Sequence, residues 1–173
     1  MFIEMKKQRF AFSFGKAQLW LRYDIRAFFN IEDSGYKPFD IISQCGDPAA
    51  VRCFLENGLS DWYNSVRRDK NSLDEYVNRL MSAQDYQTEL IAVIQSAILQ
   101  ALPEPVRGSR RKEAGDANIL SLMTAFVDVM GASEEEFMSS TVREASARWE
   151  RYAVAMGYMK PAERFSRFDD DED

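Results

Sequence analysis

The sequence predicts a mainly α-helical protein with an N-terminal β-hairpin, built as a helical N-terminal module followed by a small C-terminal helical bundle. Three observations carry that prediction. Apolar residues alternate across a Gly-Lys pair near the start, most of the later chain repeats apolar residues at helical spacing behind N-cap residues, and the stretch 103–115 (PEPVRGSRRKEAG) breaks both patterns. Hydrophobic residues make up 46% of the chain and aromatics 13%, enough to bury a core and too much for a disordered polymer. The expected layout is a hairpin-plus-helical module over 1–102, a flexible linker over 103–115, a small helical module over 116–160 and an acidic tail over 161–173.

Phe10, Phe12 and Phe14 alternate with smaller residues, Gly15-Lys16 intervenes, and Leu19 and Leu21 alternate with Trp20 and Arg22. A two-residue loop with Gly first suits a type II′ turn, and its register pairs Phe14 with Ala17, Phe12 with Leu19 and Phe10 with Leu21. All the apolar partners then share one face, which an isolated hairpin cannot bury by itself. Asp24 caps a helix carrying Ile25, Phe28 and Phe29, with Gly35 as its stop. A short helical turn is expected over 38–43. Asp47-Pro48 opens a helix bearing Val51, Phe54 and Leu55, which Gly58 is expected to end, with Leu59 folding back and Trp62, Tyr63 and Val66 forming a separate short helix.

Ser72 and Glu75 form a capping box for Leu73, Tyr76, Val77 and Leu80. Ser82 and Asp85 begin a longer helix with Tyr86, Leu90, Val93, Ile94, Ala97 and Ile98 on one side, ending near Ala101 ahead of Pro103. Beyond the linker, Asp116 caps a helix bearing Ile119, Leu120, Met123, Phe126, Val127 and Met130, which Gly131 ends. Ser133 with Glu136, and Thr141 with Glu144, make capping boxes for a short helix containing Phe137 and for a longer one over 142–156, stopped by Gly157. Phe165 and Phe168 precede the acidic run, which reads as a solvated tail or, on the sharper reading, as a partner-docking peptide.

The net charge of −6 is concentrated at the end: DDDED over 169–173 supplies five negative charges and leaves the body at −1. A nearly neutral body exerts no general pull on nucleic acid or anionic membrane. Cys45 and Cys53 are the only cysteines, and the first ten residues, MFIEMKKQRF, lack the apolar core of a signal peptide. Free thiols in a reducing cytoplasm are therefore expected. No apolar run approaches the roughly 18 residues that a membrane span needs. A soluble protein with no membrane partner follows.

A chain without histidine builds no Ser-His-Asp triad, Cys-His pair or His-ligated metal site, and two cysteines cannot supply a four-thiolate centre. No Gly-rich phosphate loop is present. Glu134, Glu135 and Glu136 could be imagined as metal ligands, but a first helical turn favours acidic residues for electrostatic reasons alone. Cys53 sits in an apolar helical pattern and reads as a small core residue. Arg107, Arg110, Arg111 and Lys112, with the helix-glycine-helix outline around Gly131, support a runner-up reading as a small helical DNA-binding regulator. The reading is non-enzymatic, with no catalytic residue, metal or cofactor.

Two passages together resemble the tail assembly chaperones of long-tailed bacteriophages. The first is YDIRAFFNIEDSGYKPFDII followed by DPAAVRCFLENGLSDW, with a later helix ending in ALP at 101–103. The second is MGASEEEFMSSTVREASARWERYAVAMGY, in which Gly131, Glu136, Phe137, Thr141, Arg143 and Glu144 match the family's Gly-x-x-x-x-Glu-Phe stretch and Thr-x-Arg-Glu helix. The similarity covers roughly residues 8–158. It implies a first module that coats the tape-measure protein and a second that recruits subunits of the major tail-tube protein. It also implies residence in the host cytoplasm and absence from the mature virion, and it leaves self-association open. The polar residues Arg143, Glu144, Arg148 and Arg151 are the expected protein-binding set, while Trp149 and Tyr152, three apart on the same helix, are expected in the core.

Overall fold

The computed structural model describes residues 8–66, 72–83, 87–104 and 119–160. The fold is mainly α-helical, preceded by one antiparallel hairpin, and the chain divides into two compact units between Gln100 and Ala101.

In the first unit, β1 (Phe10–Phe14) and β2 (Ala17–Leu21) pair in the expected register, Phe10 with Leu21, Phe12 with Leu19 and Phe14 with Ala17. Gly15 has φ +58° and no non-glycine residue among those described has positive φ, which fits a type II′ loop and excludes type I′. The apolar face of β2 packs on α2, burying Leu19 and Leu21 completely, while Phe10, Phe12 and Phe14 remain half-buried.

Helix α1 (Ile25–Asp33) starts at Asp24, whose carboxylate accepts the Ala27 N–H at 2.8 Å. It ends in a Schellman turn: Gly35 at φ +87° and Tyr36 donate back to the carbonyls of Glu32 and Ile31. The short helical turn expected over 38–43 is instead a single 3-10 turn displaced toward the C-terminus, at Ile42–Gln44. Gln44 stabilises that loop by bridging the backbone of Lys37 and Asp40.

Helix α2 (Pro48–Val66) corrects one expectation. Its start is as read, with Asp47 accepting the Ala49 N–H at 2.9 Å, but the helix runs unbroken through Gly58 and absorbs Trp62, Tyr63 and Val66. Gly58 is a packing glycine. An ideal Cβ there would lie 2.8 Å from Cζ and Oη of Tyr23 and 3.1 Å from Leu21 Cδ2, and the Gly58 carbonyl accepts the Arg22 N–H at 2.9 Å. Tyr23 is the hub of this layer: its ring stacks on Phe28 at 5.8 Å, meets Phe54 edge-on at 6.3 Å and donates its hydroxyl to the Phe54 carbonyl.

Helix α3 (Leu73–Ser82) begins with the full Ser72–Glu75 capping box and docks on α2 through the edge-to-face pair Trp62–Tyr76, 4.8 Å between centroids, and the ion pair Arg52–Asp74 at 2.6 Å. Helix α4 (Gln87–Ala101) buries Leu90, Ile94, Ala97 and Ile98. Ser82 is not its cap. It is the last residue of α3 and donates to the Asn78 carbonyl, while Asp85 and Tyr86 lie outside the described residues.

In the second unit, α5 (Ile119–Thr124) runs into a π-helical segment (Ala125–Val129), marked by the Met130 N–H reaching back five residues to Ala125. The expected continuous α-helix is thereby widened by one residue, and Leu120, expected on its apolar side, is 70% exposed. Gly131 at φ +70° makes the stop. Helix α6 (Glu134–Met138) is capped by Ser133, and α7 (Val142–Ala155) by the complete Thr141–Glu144 box, closing in a second Schellman turn at Gly157. The core contains Phe126, Phe137, Val142, Ala145 and Ala153. The cap expected from Asp116, the residues 105–115 that make up most of the linker, and the tail 161–173 lie outside the described residues.

Candidate functional site

Helix α7 positions the four polar residues expected to bind a partner, and all four make contacts within the second unit. Glu144 is the N3 residue of the capping box, accepting the Thr141 N–H at 2.8 Å. Arg143 forms an ion pair with Glu104. Arg148 pairs with Glu136 and lies over the Phe126 ring, 4.8 Å from its centroid. That pairing also explains why Ser133 and Glu136 make only half of the expected capping box: Ser133 accepts the Glu136 N–H, but the Glu136 carboxylate turns to Arg148. Arg151 is exposed, its Nε donating to the Ala147 carbonyl at 3.3 Å.

The residues that carry the family resemblance thus form the frame of this unit. Gly131 supplies the left-handed turn, Phe137 fills the core against Phe126 at 5.5 Å, and Thr141 with Glu144 starts α7. Such residues specify the shape of the unit.

An aromatic rib beside them is the strongest candidate. Trp149 stacks on Tyr152 at 5.9 Å, and Tyr152 meets Tyr158 edge-on at 6.4 Å while its hydroxyl reaches the Val129 carbonyl at 3.4 Å. Trp149 and Tyr152, expected in the core, are only half-buried. Exposure rises toward the end of α7, where Val129 is 46%, Met156 52%, Tyr158 62% and Met159 41% exposed. Spacing at three residues revealed the Trp149–Tyr152 pair but not its depth. Tyr158 and the two methionines flank Gly157, and the sequence signal that could have exposed them was an apolar Met-Gly-Tyr-Met run placed after a helix stop rather than within a helix. Aromatic and methionine side chains offer apolar area with adaptable or rigid shape, the chemistry of a protein-docking surface.

The first unit carries a polar cleft of about 320 Å³ between α1 and α2, lined by Arg26 and Asn30 on one side and Asn57, Asp61 and Asn64 on the other. Its carboxylates already have work. Asp61 accepts the Arg9 Nε–H at 3.0 Å and the Trp20 indole N–H at 2.9 Å, and Asp24 caps α1. Burial raises the Asp24 pKa above its ordinary value, opposed by the Ala27 N–H, Arg22 and Arg26. Tyr23 is likewise raised by burial, as expected of a hydroxyl that serves packing.

Among the described residues no group of three potential ligands is placed to hold a metal ion, and Glu134, Glu135 and Glu136 occupy the first turn of α6. Cys45 is exposed and Cys53, expected in the core, is only half-buried, and neither is in a disulfide. No described helix is long and apolar enough to cross a membrane. Comparison with family models, with curated proteins and with solved structures finds no match to this chain.

Proposed function

We propose that this protein is a non-enzymatic chaperone of phage tail assembly, whose first module binds the tape-measure protein and whose second recruits tail-tube subunits. The observation that carries the reading is the exposed Met156, Tyr158 and Met159 beside the half-buried Tyr152, on the second of two compact units. A surface of that kind takes an apolar protein partner. The resemblance over residues 8–158 supplies the partners' identity. The physical logic is straightforward. A long helical tape measure must stay soluble before its tube forms, and helical modules cover such a chain by helix-in-groove contacts. Many copies binding weakly hold it by repetition and yield when tube subunits polymerise.

The test is co-purification of the full chain, and of a form ending at Leu102, with the tape-measure and tail-tube proteins of the same phage. Both forms should retain the tape measure, and only the full chain should retain tube subunits. Retention of neither by folded protein would end the proposal, and salt-dependent retention of DNA instead would favour the regulator reading.

A further inference from the structure

The two edges of the hairpin are unequal. On the outer side of β2, the Gln18 carbonyl accepts the Trp62 indole N–H at 3.2 Å, and just past the strand the Arg22 N–H bonds to the Gly58 carbonyl, so α2 bonds to that edge at two points. The outer side of β1 is different. Phe14 and Ala17 flank the two-residue loop and form a hydrogen-bonded pair, and alternation along the ladder then turns the N–H and C=O groups of Ala11 and Ser13 away from β2. No other described residue bonds to those four groups. The strand FAFSF also contains none of the charges, prolines or bulges that ordinarily block strand addition.

We propose that β1 is a self-association edge, and that its occupant is β1 of a second copy of this chain, added antiparallel about a two-fold axis at Phe12. That register fits itself. Ala11 of one copy lies opposite Ser13 of the other as a hydrogen-bonded pair, twice by symmetry, so all four outward groups on each copy find partners. Phe12 meets its own copy in the closer, unbonded pair, and Phe10 lies opposite Phe14, which extends the half-buried phenylalanine row across a four-stranded sheet. Charge agrees with this register. Arg9 falls opposite Gly15 and Gln8 opposite Lys16, so no like charges meet. An unrelated extended peptide would need to match the same pattern by chance, whereas the strand matches itself by construction. Five residues bury much less than the roughly 1,200 Å² of a stable interface, so the pairing is weak and concentration-dependent. This inference does not depend on the assembly role.

Sedimentation velocity of the full chain from about 1 μM to about 1 mM tests it. Two variants report on the edge. Ala11→Pro removes an outward N–H without touching the bonds to β2, and Ser13→Lys places a charge on the edge. The native chain should shift from monomer toward dimer, and each variant that keeps the native circular dichroism and Tm should weaken that shift by about tenfold or more. Ser13→Lys decides if Ala11→Pro fails to fold. A native chain that stays monomeric throughout, or folded variants that associate as it does, would overturn the proposal. So would a monomer that pairs only after residues 1–7 are deleted, since the edge would then belong to that segment.

Discussion

Tyr23 occupies the space that a side chain on residue 58 would need, with its ring and hydroxyl 2.8 Å from the site of an absent Cβ. The ring is fully buried and its hydroxyl is bonded to the Phe54 carbonyl at 2.9 Å, so it has no room to retreat. Gly58→Ala should therefore destabilise the protein. Overpacking of about 1–3 kcal/mol outweighs the roughly 1 kcal/mol that alanine gains in a helix interior. The urea midpoint of the full chain reports the sign, and a rise would show that Tyr23 can move.

Asp24 separates capping from charge. Its carboxyl holds a proton more tightly in the folded chain than its ordinary value of 3.8, chiefly through burial. The stability this contributes is complete below that ordinary value and is lost as pH rises through the raised folded pKa. At neutral pH the carboxylate is carried at a penalty. Asp24→Asn, which keeps a cap acceptor without charge, should match or exceed the native stability at pH 7, while Asp24→Ala should lose about 1 kcal/mol. Equal losses for the two variants would show that the charge itself is needed.

In the second unit the buried cap should outweigh the exposed ion pair. Thr141 is 1% exposed and both halves of its box with Glu144 are formed, so Thr141→Ala should lose about 1–2 kcal/mol. Glu136→Gln removes the partner of Arg148 at a half-solvated site and should lose less than about 1 kcal/mol. Thermal unfolding of both variants gives the order, and a reversed order would make the Arg148 pair the main tie.

The aromatic rib predicts a separation of folding from binding. Tyr158→Ser removes a largely exposed ring and should leave the Tm within about 1 °C of native, as surface changes do. On the proposed function it should nevertheless reduce retention of tube subunits several-fold. Glu144→Ala should behave oppositely in its first effect, lowering the Tm by removing half of the capping box. Unchanged retention by folded Tyr158→Ser would remove the rib from the binding surface.

Much of this was legible in local chemistry. The hairpin register follows from alternation about Gly15-Lys16, and the caps at Asp24, Ser72, Ser133 and Thr141 follow from side chains that reach only three residues ahead. What failed depended on distant partners. Gly58 reads as a helix stop until Tyr23 is placed against it. The π-helical segment Ala125–Val129 preserves an apolar pattern while adding a residue to the turn, which periodicity cannot register. Depth was equally hidden: Trp149 and Phe137 are both aromatic residues on helices, and only the packing decides that one fills the core and the other flanks it.

Asp61 has a consequence in time. It joins Arg9, 52 residues earlier, to Trp20, 41 residues earlier, and so fastens both strands to the far end of α2. A hairpin closes in about 1–10 μs from local contacts, whereas bonds across such separations wait for the intervening chain to collapse. The clasp at Asp61 is therefore a late event. Asp61→Ala should speed unfolding and leave the refolding rate nearly unchanged in stopped-flow measurements. Slowed refolding would instead place the clasp in the nucleus and make the hairpin a product of helix assembly rather than its early template.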